Sequence, residues 1–307
     1  MLAPKSISSV QPGGGVVVAL ELALGRLRRR LLRRFRKRYV ARMETLRRGA
    51  CVNCVHDIVD PRDLKFVHNV CGYSFDADAD RFAWRGRLGL ARLGLGEVVL
   101  VGGGFAIVAI ALAFSMPWLA PLPALLSFWA VAFFRDPERS IPDAPGLVVA
   151  PADGVVDDIE AVEQSEELGG PAWRVGIYLS LFNVHINRVP VAARVLSLDY
   201  CPGLRRATNR VGHTSDNEQL RSLFETQASP RRRFLVRQVA GPAARRIVCE
   251  LRPGQDVGRG DRFGLIKFGS RTELWLPREA GVELRAQLGQ RVRAGQSVLA
   301  HFTEDRP

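Results

Sequence analysis

Lysine is scarce in this chain. Of 44 basic residues only four are lysines, Lys5, Lys37, Lys65 and Lys267, so chemistry that forms a Schiff base on a lysine amine has few candidates. Cysteine is sparse and irregular as well. The five, at positions 51, 54, 71, 201 and 249, do not make the dense, even framework of a small secreted disulfide protein and favour a reducing compartment. The opening MLAPKSISSV has neither the charged region nor the apolar run of a secretory signal. The C-terminal half holds no P-loop, no G-x-G-x-x-G after a strand, no H-E-x-x-H and no G-x-S-x-G, which removes the commonest enzyme classes.

What is present is enough apolar residue for a core and an excess of arginine. With 307 residues and 47% hydrophobic content, the chain makes one or two folded domains. The net charge of +13 suggests a polyanionic partner, nucleic acid or an anionic membrane surface.

That charge is localised. Residues 1–25, punctuated by Gly, Ser and Pro, read as mostly unstructured, whereas residues 26–48, RLRRRLLRRFRKRYVARMETLRR, hold twelve Arg or Lys against one acid, Glu44. Leu27, Leu31, Leu32, Phe35, Tyr39, Val40 and Met43 recur there at steps of three and four, the pattern of a basic amphipathic helix suited to anionic headgroups. A loose RNA-binding arm is the competing reading. Residues 49–95 form a linker in which Cys51, Cys54, His68 and Cys71 are a weak candidate for a zinc site, since a C-x2-C pair and a later H-x2-C can close a tetrahedron; reduced cysteines in a small capping element are the alternative.

Between Glu97 and Arg135 lie 37 residues without a charge, about twice the ~20 needed to cross a ~30 Å hydrocarbon core. Pro117, Pro121 and Pro123 break the run in two, so residues 96–134 read as a helical membrane hairpin or re-entrant anchor. Arg85, Arg87 and Arg92 before it, and Arg135 and Arg139 after it, place both ends on the cytoplasmic side of the cell membrane.

From residue 135 to 307 the texture becomes short Val-, Ile-, Leu- and Phe-rich runs separated by turn residues, a mainly β, α+β domain with one helix expected around Asn217–Phe224. Two stretches, ADGVV and GQRVRAGQSVLA, are similar to the glycine-turned strands of a barrel-sandwich hybrid, as in lipoyl and biotinyl carriers, which concerns shape and not activity. A carrier module would present a lysine at a hairpin tip, and Lys267 in GLIKF sits in an apolar run instead.

Along this domain come, in order, FFRDPERSIP, PADGVV, LSLFNVHINRVP, ARRIVC, GDRFGLIKFGSR and WLP. The series, spanning about residues 133–301, resembles the phosphatidylserine decarboxylases of the short, pyruvoyl-dependent, bacterial and archaeal type. The resemblance implies an autocatalytically processed carboxy-lyase. The hydroxyl of Ser270 attacks the carbonyl of Gly269, and elimination then releases chain 1–269 from chain 270–307. The two chains stay together as a heterodimer with a pyruvoyl cofactor on the former Ser270. That carbonyl would hold the amine of phosphatidylserine as a Schiff base and take up the electrons freed with carbon dioxide, leaving phosphatidylethanolamine. A glycine before the serine suits the tight approach, and no lysine is required.

By the same resemblance Asp153 in PADG and His185 in NVHINRVP serve self-cleavage and proton transfer. Histidine can give and take protons near neutral pH, and a carboxylate can orient it; a core histidine and a turn aspartate are the bland alternatives. The chain departs from the best-known branch of the family in two places. Phe268-Gly269-Ser270-Arg271 stands for Leu-Gly-Ser-Thr, and Arg188 stands where a second histidine is found. This opens the acid and base assignment and makes Arg188 and Arg271 candidates for binding the lipid phosphate. The partners implied are phosphatidylserine and anionic membrane lipids, with no nucleic acid.

Overall fold

The computed structural model describes residues 5–6, 15–51, 56–204, 206, 216–242, 244, 246–267 and 270–303. Chain contacts divide the protein into two units, Gly14–Glu138 and Arg139–Pro307 with Met1–Gly13.

In the first unit the basic segment is helical, but its bounds differ from the sequence expectation. Helix α1 runs Gly15–Phe35, so residues 15–25, expected to be unstructured, form its first three turns. The run GVVVALELAL has no proline, and its Ala19, Leu20, Glu21, Leu22, Ala23 and Leu24 are good helix formers. At Arg36 the backbone leaves the helical region (φ −129°, ψ 45°), and α2, Lys37–Leu46, follows as a separate element. What fixes α1 is charge pairing within the unit. Arg28 and Arg29 both donate to Asp63 Oδ1, the latter over 2.8 Å. Arg29 and Arg33 hold Asp57, and Lys65 Nζ holds Glu21 at 2.8 Å. Leu20, Leu24, Leu27, Leu31 and Phe35 are left exposed.

Further along, a continuous helical stretch from Arg92 to Ser115 is long and apolar enough to cross a membrane, with mean hydropathy 2.5 over an 18-residue window. At 1.5 Å per residue its 24 residues span about 36 Å. Its middle, Val98–Gly102, is π-helical, and its last part is α3, Gly103–Ser115. The shorter apolar helix α4, Pro121–Phe133, packs back on it. Ser127 Oγ donates to the Gly102 carbonyl at 2.8 Å, supplying a partner where the π turn loosens the ladder. Ala91 N donates to Phe134 O, and Asp136 N to Gly89 O, each at 2.6 Å. Gly94 is required beneath the Phe134 ring, because a Cβ there would lie 2.0 Å from the ring edge.

The second unit is mainly β, and the strands named here pair antiparallel. Its strands are β1 (Leu147–Val149), β2 (Gly154–Ser165), β3 (Gly170–Leu179), β4 (Ile186–Arg188), β5 (Ala193–Cys201), β6 (Gln219–Thr226), β7 (Arg233–Ala240), β8 (Arg246–Cys249), β9 (Asp256–Val257), β10 (Arg262–Lys267), β11 (Ser270–Pro277), β12 (Val282–Leu284), β13 (Arg291–Val292) and β14 (Val298–Phe302). The large sheet runs β5-β6-β7-β11-β3-β2-β13, with Lys5–Ser6 and β9 on β5; smaller sheets are β8-β10-β4 and β12-β14-β1.

The expected helix at Asn217–Phe224 is strand β6 instead. Its residues Gln219–Thr226 pair with β5 on one side and β7 on the other. Leu220, Ser222, Phe224 and Thr226 are buried while the residues between them are partly exposed, the period-two pattern of a strand. Phe224 stacks on Phe234, ring centroids 4.9 Å apart, and meets Phe263 edge-on, joining the core of Val175, Ile177, Leu179, Val236, Leu274 and Leu276.

The curl of this sheet positions the site. β7 and β11 pair up to Ala240 and Ser270, and the ladder resumes on β8 and β10 with Arg246 opposite Lys267. β3 likewise pairs with β11 up to Leu179 opposite Ser270, and resumes as β4 against β10 with Ile186 opposite Leu265. Each strand therefore passes from the large sheet into the small one at the same level. The two sheets close on each other: Asn187 of β4 donates to Thr272 Oγ1 of β11 (3.1 Å), and Gln238 of β7 donates to Asn187 Oδ1 (2.8 Å).

Candidate active site

Ser270 is the first residue of β11, held by Ala240 on one side and Leu179 on the other. It is fully buried, and its Oγ has no hydrogen-bond partner among the described residues. Gly269 and Phe268 lie outside the described residues.

His185 stands just before β4 and is 2% exposed. Its Nδ1 is 2.9 Å from the Asn183 carbonyl, which can only accept, so the proton sits on Nδ1 and Nε2 is the basic nitrogen. The turn that carries it is pinned by one side chain: Asn183 Oδ1 accepts from Ser180 N (2.8 Å) and Ser180 Oγ (2.7 Å). His185 enters β4 two residues before Asn187, and Ser270 is two residues before Thr272 on β11; Asn187 and Thr272 are the pair that touches across the closed sheets.

Asp153 ends the turn before β2 and is buried. Arg139 Nη2 donates to its Oδ2 and Ala294 N to its Oδ1, both at 2.8 Å. Its oxygens thus tie the FFRDPERS segment to the β13–β14 turn, whereas the Nδ1 of His185 is engaged by Asn183. The two arginines put forward as phosphate ligands are committed inside the domain. Arg188 Nη1 donates to the Gly260 carbonyl at 3.0 Å. Arg271 is 0% exposed and faces away from Ser270 into a cluster of acids. It lies 2.5 Å from Asp157 Oδ2, 3.2 Å from Glu273 Oε1 and 3.4 Å from Asp158 Oδ2.

A bulge in β2 between Val156 and Asp158 puts two successive acids on the arginine's side. Gly176 on β3 leaves the space for the guanidinium, since a Cβ there would fall 1.9 Å from Arg271 Nη2. Burial would push the Glu273 carboxyl up, but the guanidiniums of Arg237, Arg271 and Arg174 outweigh it and hold it below the usual range. For Asp157 the balance is reversed: burial raises it, and Arg271 beside it does not fully compensate.

Of the zinc candidates, Cys54 lies outside the described residues. Among the described residues no group of three His, Cys, Asp or Glu side chains is placed to hold a metal ion. Sequence reasoning missed Arg139, Asn183, Asn187, Thr272 and Gln238. Arg139 was visible in its motif; the polar residues announced themselves only as single polar positions inside apolar strands.

The class to which this arrangement belongs is a decarboxylase made as a proenzyme. Residues 126–300 match the model of the phosphatidylserine decarboxylase family, and the chain belongs to that family. A phosphatidylserine decarboxylase proenzyme of Rhodopirellula baltica is 39% identical over 246 residues, covering 78% of this chain and 100% of the relative. Proenzymes of the same name from Symbiobacterium thermophilum and Syntrophus aciditrophicus are 44% and 40% identical, covering 65% and 60% of this chain and 92% and 85% of theirs.

Proposed function

We propose that this protein is a membrane-attached phosphatidylserine decarboxylase that cuts itself between Gly269 and Ser270 and acts through a pyruvoyl group derived from Ser270, producing phosphatidylethanolamine for phospholipid synthesis. The observation that carries the reading is the Ser270 hydroxyl, buried at a strand start without a hydrogen-bond partner among the described residues. An unsatisfied buried hydroxyl costs about 1–3 kcal/mol, and such costs are retained where chemistry needs them.

Processing follows from the chain's own atoms. Ser270 Oγ attacks the Gly269 carbonyl carbon, the C–N bond breaks as the C–O bond forms, and the hydroxyl proton passes to the released amine. Loss of the Ser270 α-proton then expels the Gly269 carboxylate, and water replaces ammonia on the resulting dehydroalanine. His185, through Nε2, is the residue that accepts and returns protons at Ser270; its position two residues before Asn187, which touches Thr272, supports this. Asp153, bonded to Arg139 and Ala294 N, holds the segments around the site and contributes negative charge. The pyruvoyl carbonyl supplies capture of the substrate amine and an electron sink for decarboxylation.

The attachment reading adds three parts. Residues 96–134 act as a helical hairpin anchor with both ends, and so the catalytic domain from residue 135 onward, on the cytoplasmic side, supported by the flanking arginines and by exposed Ile107, Phe114, Trp118 and Phe128. The arginine-rich α1–α2 meets anionic lipid, supported by its exposed leucines beside Arg26, Arg30 and Arg34. We also read the pairing of Gly154 and Val155 with Val292 and Arg291 as the turn pair of a barrel-sandwich hybrid.

Intact mass tests the core of the reading. Two chains, 1–269 and a pyruvoyl-capped 270–307, are expected, with Ser270→Ala giving one chain and no carbon dioxide from carboxyl-labelled phosphatidylserine. A single unmodified 33.9 kDa chain in the active wild-type preparation would overturn it.

A further inference from the structure

The end of the large sheet that carries Ser270 also carries exposed apolar side chains, and this concentration is unusual for the unit. Antiparallel pairing puts Ala240, Ser270 and Leu179 on one level, and Cys201, Gln219, Val239, Arg271, Tyr178 and Val155 on the level one residue further into the sheet. Among the described residues of the unit, four large apolar side chains are substantially exposed: Leu181 (40%), Phe182 (75%), Leu204 (50%) and Leu288 (70%). The first three leave the sheet at this end. Leu181 and Phe182 follow Leu179 and Ser180 directly. Leu204 pairs with Asn217, whose Nδ2 donates to the Ala240 carbonyl at 2.9 Å. Arg206, exposed beside Leu204, is fixed there by its N–H to Asn217 Oδ1 (3.0 Å).

We infer that this end of the catalytic domain docks on the bilayer, with Leu181 and Phe182 inserted among the lipid headgroups and upper acyl chains and Leu204 and Arg206 beside them. The inference rests on the reading of the substrate as a bilayer lipid and adds how that lipid is reached. Apolar side chains next to a cation match an anionic interface, and a bilayer accepts scattered apolar tips that a soluble partner would need to meet with a shaped pocket. The turn is also mechanically suited to the task. Asn183 bonds Ser180 through its side chain and His185 through its carbonyl, so the exposed Phe182 and the buried His185 belong to one rigid turn. A docked tip thereby places His185 and Ser270 at the depth of the serine headgroup.

The test uses the full chain reconstituted in phosphatidylcholine vesicles containing phosphatidylserine. The double variant Leu181→Ser with Phe182→Ser removes two exposed side chains and no core contact of the hydrophobic cluster. It is expected to process into two chains as the wild type does and to decarboxylate monomeric short-chain phosphatidylserine within about twofold of wild type. Its apparent KM for vesicle phosphatidylserine is expected to rise at least tenfold. Equal vesicle and short-chain kinetics in variant and wild type would overturn the docking. Absence of processing in the wild type would instead overturn the functional reading on which it rests.

A second readout does not depend on turnover. With a phospholipid bearing a photoreactive group high on its acyl chain, peptide masses are expected to show adducts at 181–182 as well as in the apolar helices. Adducts in the helices alone, or adducts at 181–182 only to a second copy of the protein, would refute the inference.

Discussion

Replacing Arg271 by Met removes a guanidinium that is 0% exposed and bound to three carboxylates. Methionine fills part of the volume, and Glu273 keeps Arg237 and the Trp275 indole N–H at 3.1 Å, but Asp157 loses the cation beside it. Breaking a buried ion pair from one side costs about 3–5 kcal/mol. In a unit of this size each kcal/mol moves the melting temperature by about 2–4 °C, so a fall of roughly 6–20 °C is expected. The measurement belongs in a Ser270→Ala background, where the chain stays whole, with near-ultraviolet circular dichroism following Trp173 and Trp275. Asp157→Asn alone leaves Arg271 with Asp158 and Glu273 and should cost much less, because burial already outweighs the attraction of Arg271 for the Asp157 carboxylate. Combined with Arg271→Met it should add little, because the two side chains share one interaction. A fall below about 3 °C for Arg271→Met, or strict additivity of the two, would refute the view that the cluster works as a unit.

Glu273→Gln tests the sign of the charge coupling. The folded pKa of Glu273 is depressed, with burial outweighed by Arg237, Arg271 and Arg174, so its stabilising effect is present above the unfolded carboxylate value of about 4.3 and is lost as pH falls through the lower folded value. The stability gap between wild type and variant, read from urea midpoints, should be widest above about pH 5 and narrow below pH 4. Gly176→Ala pushes a methyl to 1.9 Å from Arg271 Nη2; it should destabilise by about 1–3 kcal/mol, and much of that loss should vanish in an Arg271→Met background, again by thermal melting. Cys249 is completely buried, and burial pushes its thiol up to about 12. Iodoacetamide at pH 8 should therefore modify partly exposed Cys51 while Cys249 reacts only after unfolding, which peptide mass mapping checks.

The parts of this structure that could be read along the chain are those that depend on local pattern. The 37-residue uncharged run, the arginine-rich helix and the short apolar strands each announce themselves within a window of a few turns. β6 misled for a physical reason. NEQLRSLF supplies helix formers and one acid, Glu218, three residues before Arg221, and local propensity favours a helix. The strand wins because β5 and β7 flank it and bury alternate residues, with Phe224 locked between Phe234 and Phe263, partners that are far off in sequence. The start of α1 was missed because Gly13, Gly14 and Gly15 suggest a loop, while the ion pairs that hold the helix come from residues 57–65.

The same distinction governs the site. Gly269-Ser270, adjacent in sequence, and His185, within its own motif, can be put forward along the chain and stand as proposals, whereas the surroundings of the arginines cannot, because a guanidinium's partners are the carboxylates the fold brings to it. From sequence, Arg271 was an unexpected cation beside the scissile bond and so a candidate for an anionic ligand. In the fold, a bulge at Asp157 and the missing side chain of Gly176 make it an internal counter-ion. Arg28, Arg29 and Arg33 are likewise neutralised by Asp57 and Asp63. The net charge of +13 therefore overstates what the protein presents to a polyanion, and a membrane-binding argument has to rest on the arginines and apolar tips left at the surface. That is why Leu181 and Phe182, uncharged and unremarked in the sequence, carry more of the expected lipid contact at the site than either Arg188 or Arg271.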